Sequence, residues 1–168
     1  MKKSITILFC ICSLFSCSTT RFYVVRHAEK TSNNCNAPLA QPQGFNRAGA
    51  LKDSLLSKQV DSIFVSTCLR TQQTAQPLAT AQSITMIQFE PTPDQTQSLI
   101  SRLNKIKGKN VLIAGHTNTV PEIVLGLSGV TITPIADTDF DNMYIIRIRR
   151  SPNVSRTMTH ITYGAITN

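Results

Sequence analysis

The sequence predicts an α/β protein, a three-layer α/β/α sandwich with a mostly parallel central sheet. The prediction rests on an alternation along the chain. Short apolar runs typical of buried strands alternate with longer stretches whose apolar residues recur at the spacing of a helix. In proteins that alternate in this way, the strands usually lie parallel in one sheet and the helices cover both of its faces. A chain of 168 residues is long enough for one such domain with a buried core.

Six apolar runs are predicted to be strands. Each of the first four is bounded by polar or turn-forming residues and is rich in valine, isoleucine or phenylalanine. Near the carboxyl terminus two runs follow each other directly, and the polar residues 151–153 between them predict a hairpin. The six runs are Phe22–Arg26, Ser62–Ser66, Ile84–Phe89, Asn110–Ala114, Met143–Arg149 and Arg156–Tyr163.

Four helices are predicted between these strands. The first begins near Asn46, the second passes through Arg70, and the third has Asp94 or Thr96 near its start. The fourth begins with Thr119 in a capping-box pattern, and two glycines close it. Their apolar faces comprise Ala48, Leu51 and Leu55 in the first helix, Leu78 and Ala79 in the second, and Leu99, Ile100, Leu103 and Ile106 in the third.

Residues 1–17 are predicted to be a targeting segment. Two lysines precede the apolar run Ile5–Phe15, which is shorter than the roughly 20 residues that span a bilayer but fits a signal sequence. The run leads to Cys17 and resembles a bacterial lipoprotein signal, with Cys17 as the lipidated residue. A plain secretory signal is the alternative. We therefore expect an exported lipoprotein anchored to the cell envelope membrane on the periplasmic or surface side, with residues 18–21 as a short tether and 22–168 as the folded domain.

Export also bears on the cysteines. With Cys10 and Cys12 removed and Cys17 acylated, one pair is left, Cys35 and Cys68, in an oxidising compartment. The sequence leaves open whether these two form a disulfide or stay as idle thiols.

The chain is basic, with a formal net charge of +8. Without the two lysines of the targeting segment, 15 lysines and arginines stand against 9 acids, which leaves +6. This balance suits an anionic partner. Because the basic residues are spread along the chain without interleaved aromatic residues, the sequence does not predict nucleic-acid binding. It carries no signal for an oligomeric state.

Polar residues follow three of the predicted strands at the point where each ends. Arg26 and His27 end the first run, Arg70 follows the second, and His116 follows the fourth. Ligands of open α/β sheets bind at the carboxyl ends of the strands, so we expect these four side chains to converge there.

Two histidines and two arginines suit phosphoryl transfer. The transferred phosphoryl group carries negative charge on three oxygens, and the planar fork of a guanidinium group can bind two of them. A neutral imidazole can attack phosphorus and form a covalent intermediate that water then hydrolyses. A backbone carbonyl bonded to the other ring nitrogen would fix the reactive tautomer. A second imidazole can donate a hydrogen bond to the phosphoryl oxygens.

These motifs resemble those of the histidine phosphatase superfamily, which also contains the cofactor-dependent phosphoglycerate mutases. The motifs are VVRHAEK at 24–30, LRTQQTA at 69–75 and GH at 115–116, and the segment GFNRAG at 44–49 is also similar. The resemblance covers about residues 22–148 and implies a phosphoglycerate-mutase-like fold. It also implies that His27 is phosphorylated and that Arg26, Arg70 and His116 complete the phosphate pocket.

The resemblance implies a phosphohydrolase that acts on a phosphomonoester or a phosphoprotein. The substrate would be a phosphorylated small molecule, glycan or protein, and the chemistry needs no metal or cofactor. Two alternatives are a non-catalytic lipoprotein that binds phosphorylated envelope ligands, and a mutase-type phosphotransferase. Cysteine phosphatase, P-loop and serine hydrolase motifs are absent from the sequence.

The sequence leaves open which residue is the general acid that protonates the leaving group. Glu90 and Glu29 are the two candidates, with Glu90 ranked first, and Asp94 lies in the same region as Glu90. The alternating acids Asp137, Asp139 and Asp141 are expected to be solvated rather than metal-binding.

Overall fold

The computed structural model describes residues 18–151 and 153–167, which form a six-stranded sheet and four α-helices. A short 3-10 helix, Leu56–Lys58, follows the first α-helix. The strands are β1 (Ser18–Arg26), β2 (Ser62–Ser66), β3 (Met86–Phe89), β4 (Asn110–Gly115), β5 (Asn142–Arg150) and β6 (Val154–Thr162). The α-helices are α1 (Gln43–Leu55), α2 (Leu69–Ala81), α3 (Pro93–Leu103) and α4 (Thr119–Ser128).

The strand order β3-β2-β4-β1-β5-β6 determines where the site lies. Strands β1 to β4 are parallel to one another, and β5 pairs antiparallel with both β1 and β6. Strands β2, β4 and β1 are therefore adjacent, and they are the three strands that the motifs follow. The predicted α/β fold with a mostly parallel sheet is confirmed.

Two hydrophobic clusters hold the layers together, one on each face of the sheet. Successive residues of a strand point to opposite faces, so Phe22 and Val24 pack with α3 and α4, while Tyr23 and Val25 pack with α1 and α2. All members of the two clusters lie between Phe22 and Tyr163. The segment from Ser18 onwards thus contains the whole described core.

Several boundaries differ from the predictions. Strand β1 begins at Ser18, so residues 18–21 are not a tether. They pair with β5, from Ser18 opposite Arg150 to Arg21 opposite Arg147. A polar start to a strand is tolerated because this pairing uses backbone groups. Helix α1 begins three residues before Asn46, and β3 begins two residues after the predicted start.

The capping-box pattern predicted Thr119 as the cap of α4, and the structure does not confirm this. Asn118 precedes the helix, and the Thr119 hydroxyl accepts a hydrogen bond from the backbone N–H of His116. Of the two glycines predicted to close the helix, Gly129 does so, in a left-handed conformation with φ of 79°. Gly126 instead lies inside the helix, close to Ile100 of α3.

The predicted targeting segment and Cys17 lie outside the described residues. Within residues 18–151 and 153–167, no helix is both long and apolar enough to cross a membrane.

Candidate active site

His27 lies directly after β1, in the position predicted for the nucleophile. Its backbone N–H donates to the carbonyl of Gly115 at the end of β4, with 2.9 Å between nitrogen and oxygen. Its ring Nδ1 lies 2.7 Å from the carbonyl oxygen of Ala28, which can only accept. Nδ1 therefore carries the proton, and Nε2 keeps the lone pair that a nucleophile needs. The expected carbonyl partner is thus present.

Burial keeps His27 neutral. The side chain is almost wholly enclosed. Loss of hydration disfavours the charged ring, and the positive charge of Arg26 adds to the effect, so that the pKa of His27 is lowered from its ordinary value of 6.5 to about 2. A neutral imidazole is the form that can attack phosphorus.

His116 faces His27 from the end of β4. The two ring centroids are 5.3 Å apart, with the rings at 60° to each other. Burial and the charge of Arg70 lower the pKa of His116 to about 4, so this ring is also neutral. Its Nε2 lies 2.7 Å from the hydroxyl of Ser66, and its Nδ1 lies 3.2 Å from Nη2 of Arg70.

The contact with Arg70 sets the tautomer of His116. Because Arg70 can only donate, Nδ1 accepts from it, and Nε2–H then donates to the Ser66 hydroxyl. Ser66 can in turn donate to the hydroxyl of Thr71, 2.8 Å away, which donates to the carbonyl of Cys68. If the Ser66 hydroxyl rotates and donates to Nε2, and Nη2 of Arg70 turns from Nδ1 to the phosphoryl group, Nδ1 can carry a proton and donate to a phosphoryl oxygen. The network thus permits the donor role expected of His116.

Arg70 lies in the first turn of α2, and a loop carbonyl holds it there. Its Nη1 donates to the carbonyl of Asn34 at 2.8 Å, and its Nη2 reaches His116. Its Nε is buried and has no hydrogen-bond partner within the described protein. A buried donor without a partner costs free energy, and an anion at this site would satisfy it.

A disulfide between Cys35 and Cys68 fixes the loop that holds Arg70. Cys68 is the residue directly before α2, and the carbonyl of Cys35 accepts from the backbone N–H of Leu69. Of the two states that the sequence left open for these cysteines, the structure has the bridge. It joins the loop around Asn34 to the beginning of the helix that carries Arg70.

Arg26 is buried against the segment after α4. Its Nη1 donates to the carbonyls of Ala136 and Asp139, and its guanidinium lies 4.3 Å from the ring centroid of Phe140. Asp137 lies 3.5 Å from Nη2 but is 85% exposed, so water screens this pair. Nε and Nη2 of Arg26 have no hydrogen-bond partner within the described residues. Arg26 therefore offers two further donors in the region of His27.

Glu29 does not fit the role of general acid. Its carboxylate accepts three hydrogen bonds from the buried Arg47, at 2.7 to 3.0 Å. Arg47 also donates to the carbonyls of Tyr163 and Ala165. Both carboxylate oxygens are held by this bidentate pair, so neither is free to reach a leaving group. Glu29 and the GFNRAG segment therefore join α1 to the carboxyl-terminal residues instead.

Glu90 lies at the same edge of the sheet as the histidines. It follows β3, it is exposed, and its carboxylate accepts a hydrogen bond from the Thr67 hydroxyl at 2.9 Å. Thr67 follows β2 and precedes the disulfide. The catalytic role of Glu90 stays a prediction.

The three alternating aspartates differ from the expected solvated loop. Asp137 is exposed, but Asp141 is buried and accepts a hydrogen bond from the backbone N–H of Thr167. Asp139 also lies beside the Thr167 side chain. Asp139 and Asp141 therefore hold the carboxyl-terminal residues. His160, expected at an edge, is exposed on the edge strand β6 and stacks on Tyr144.

Sequence reasoning missed four contributors to the site: Ser66, Thr74, Phe140 and the carbonyl of Asn34. Thr74 accepts from the backbone N–H of Ala28 next to the nucleophile. For Ser66 the available signal was a polar residue at a buried strand end, and for Thr74 it was its place inside the quoted motif. Phe140 and Asn34 come from irregular segments, which have no periodicity to indicate their contacts.

Comparison with known proteins agrees with this geometry. Residues 22–94 match the model of the Histidine phosphatase superfamily (branch 1). The chain has the histidine phosphatase fold. A search of curated proteins found no match.

Three solved structures show how far this likeness extends. The SixA protein of Nakamurella multipartitia superposes with a TM-score of 0.62 at 18% identity, covering 88% of this chain and 98% of that one. The protein histidine phosphatase SixA complexed with tungstate gives 0.60 at 18% identity, covering 84% and 96%. Mycobacterial glucosyl-3-phosphoglycerate phosphatase in complex with inorganic phosphate gives 0.64 at 10% identity, covering 87% and 97%. The match over residues 22–94 and the shared fold are what this chain has in common with these phosphatases.

Proposed function

We propose that the protein is a metal-independent phosphohydrolase that forms a phosphohistidine intermediate on His27. The observation that carries the proposal is the pair of neutral imidazoles, 5.3 Å apart, with two guanidinium groups around them. A site that only bound phosphate would be served by the arginines and would gain nothing from a neutral imidazole with a free lone pair.

In the first step, Nε2 of His27 attacks phosphorus, and the bond between phosphorus and the leaving oxygen breaks. The leaving oxygen takes a proton from a general acid, for which Glu90 is our candidate. In the second step, water attacks phosphorus, the phosphorus–nitrogen bond breaks, and inorganic phosphate leaves. The lone pair returns to Nε2, and the proton of the water restores the general acid.

The guanidinium groups bind the charge that the phosphoryl oxygens carry in both steps. Arg70 supplies its Nε and Arg26 its Nε and Nη2, the buried donors that lack a partner within the described protein. His116, through the tautomer with the proton on Nδ1, supplies one more donor. Removing one such donor typically reduces turnover by about 10²- to 10³-fold.

The substrate class is a phosphomonoester or a phosphoprotein, and one neighbour supports each. Glucosyl-3-phosphoglycerate phosphatase is named for a phosphorylated small molecule and protein histidine phosphatase SixA for a protein. Glycan phosphates of the cell envelope stay a third option. A phosphoramidate needs little protonation of its leaving nitrogen. The exposed Glu90 would be a sufficient general acid for such a substrate.

His27→Ala tests the proposal. Residues 18–168 are assayed with a generic aryl phosphate in the presence of a chelator, because the proposed chemistry uses no metal. We expect turnover by the parent protein and a loss of at least about 10³-fold in the variant, since no other group can form the covalent intermediate.

The non-catalytic alternative predicts a different result. A binding protein would show no turnover in either form, and both forms would bind inorganic phosphate equally. Turnover that survives in His27→Ala would contradict the proposed nucleophile, and turnover that the chelator abolishes would contradict the metal-independent chemistry.

We further propose that the protein is an exported lipoprotein, lipidated on Cys17. The lipoprotein-like signal at residues 1–17 and the disulfide between Cys35 and Cys68, a bond typical of oxidising compartments, support this proposal. Because β1 begins at Ser18, the lipid would lie directly at the amino end of the sheet. Mass spectrometry of the mature protein tests it: an unmodified amino terminus would contradict lipidation.

A further inference from the structure

The end of the sheet opposite the histidines is basic. Lysines and arginines that are far apart in the sequence meet there, where β1, β2 and β4 begin and β5 ends. The loop between α3 and β4 carries Lys105, Lys107 and Lys109, all of them exposed. Asp61 is the acid that directly precedes β2, and it pairs with Lys109 at 2.8 Å. The fold thus gathers basic residues that looked dispersed along the chain.

Three of these residues, Arg21, Lys58 and Arg147, line an open cavity of about 340 Å³, together with Tyr23, Asn110 and Ile145. We call these three basic residues the cradle. Among the described residues, no side-chain hydrogen bond or ion pair of a cradle residue is found.

Two of the cradle residues lie opposite each other on adjacent strands. Arg21 of β1 and Arg147 of β5 are directly opposite in the antiparallel pair. Burial raises the pKa of Tyr23, and the charges of both arginines act in the opposite direction. Like charges in this position destabilise a strand pair. An anion bound between them would reverse the sign of that interaction, and a phosphate group fits the fork of each guanidinium.

The cradle lies at the end of β1 that adjoins Ser18, the residue after Cys17. Arg21 lies five residues before Arg26, which is about 17 Å of extended chain. The apolar run of residues 5–15 therefore joins the domain at its basic end, away from the histidines.

We propose that the cradle and the lysines of the α3–β4 loop dock on a membrane surface, where the cradle binds the phosphate of an anionic lipid headgroup. The phosphatase site then faces away from that surface. A nucleic acid fits less well, because single strands bind through exposed aromatic side chains and the aromatic residue here, Tyr23, is buried. The proposal does not rest on the catalytic role of His27.

Vesicle flotation tests the docking surface. The probe is residues 18–168, which lack the targeting segment, with vesicles of phosphatidylcholine alone or with phosphatidylglycerol added. We expect binding to the anionic vesicles, and Arg147→Gln should weaken it about fivefold, the effect of one basic residue near an anionic surface. Turnover of a soluble aryl phosphate should be unchanged in this variant.

Lys30→Gln is the matched control for vesicle binding. It removes one positive charge at the opposite end of the sheet, and we expect vesicle binding within about twofold of the parent protein, as for a charge far from the surface. If both variants weakened vesicle binding equally, the effect would be one of net charge alone, and the proposed role of the cradle would be overturned. Failure of the parent protein to bind anionic vesicles would overturn the docking surface.

Two further arms separate the other sources of phosphate. If inorganic phosphate at low millimolar concentration releases the protein from the vesicles through the cradle, the site is one for free phosphate and the proposal fails. Tighter binding to a short DNA duplex than to the vesicles, at equal salt, would assign the surface to nucleic acid and would also overturn it. Vesicle binding that Arg147→Gln weakens and free phosphate leaves in place supports the proposal.

Discussion

At the scale of single residues, the site depends on two histidines that the protein keeps neutral. Burial is the main cause for both rings, and the surrounding arginine charges act in the same direction. The same arginines bind the phosphoryl oxygens in our account. One arrangement of charges therefore favours both the anionic substrate and the neutral, nucleophilic state of His27.

The lowered pKa values predict how the free protein titrates. The neutral ring is the reactive form, and its pKa lies near 2 for His27 and near 4 for His116, below the ordinary 6.5. We therefore expect both rings to stay neutral as the pH falls from 8 to 5. Nuclear magnetic resonance of the ring signals measures this in a His160→Gln background, in which these two histidines remain. A midpoint near 6.5 for either ring would contradict the lowered values.

The residues of the site were predictable where chemistry and strand ends coincide. Arginine and histidine at the end of an apolar run indicated His27, and the carbonyl partner of its ring was expected. Ser66 was not predicted, because a serine that ends a strand does not show in the sequence which side chain it will contact. The pairing of Glu29 with Arg47 was not predicted, because Arg47 lies in another element.

At the scale of elements, the loop that contains Cys35 positions the beginning of α2. The carbonyl of Asn34 holds Arg70, the carbonyl of Cys35 holds the backbone of Leu69, and the disulfide fixes both contacts. The position of Arg70 is thus coupled to a covalent bond outside the pocket.

Removal of this disulfide should weaken substrate binding more than it slows the chemical step. In the double variant Cys35→Ser, Cys68→Ser we expect KM to rise about fivefold with a smaller change in kcat, because Arg70 loses its fixed partner. We also expect the free energy of unfolding to fall by about 4 kcal/mol, as the loop-closure entropy of a disulfide spanning 33 residues predicts. Steady-state kinetics and urea unfolding measure the two effects.

The control is a reducing agent, which should produce both effects in the parent protein and neither in the double variant. A KM that stays the same in the double variant would show that the bridge does not position Arg70.

The element boundaries show what local sequence patterns can predict. The strand Ser62–Ser66 was predicted as it stands, since its apolar run begins and ends sharply. The early start of β1 was missed, because Ser18, Thr19 and Thr20 look like a polar linker. Their pairing with β5, about 130 residues later in the chain, is a non-local contact that local patterns do not contain.

At the scale of the whole molecule, the two sites that we propose lie at opposite ends of the sheet. Its carboxyl edge brings together the ends of β2, β4 and β1 with the histidines and arginines of the proposed phosphatase. Its amino edge carries the cradle and the loop lysines. The alternating pattern predicted the layers of this fold, but the strand order and the basic edge arise from contacts between distant segments.

The central claim is that His27 becomes phosphorylated during turnover. The most direct measurement is to mix residues 18–168 with an aryl phosphate, quench in alkali, where phosphohistidine survives, and locate the phosphoryl group by mass spectrometry. The account predicts one phosphoryl group per chain, on the peptide that contains His27, and none in His27→Ala. A phosphoryl group on His116, or rapid turnover without any phosphorylated histidine, would contradict it.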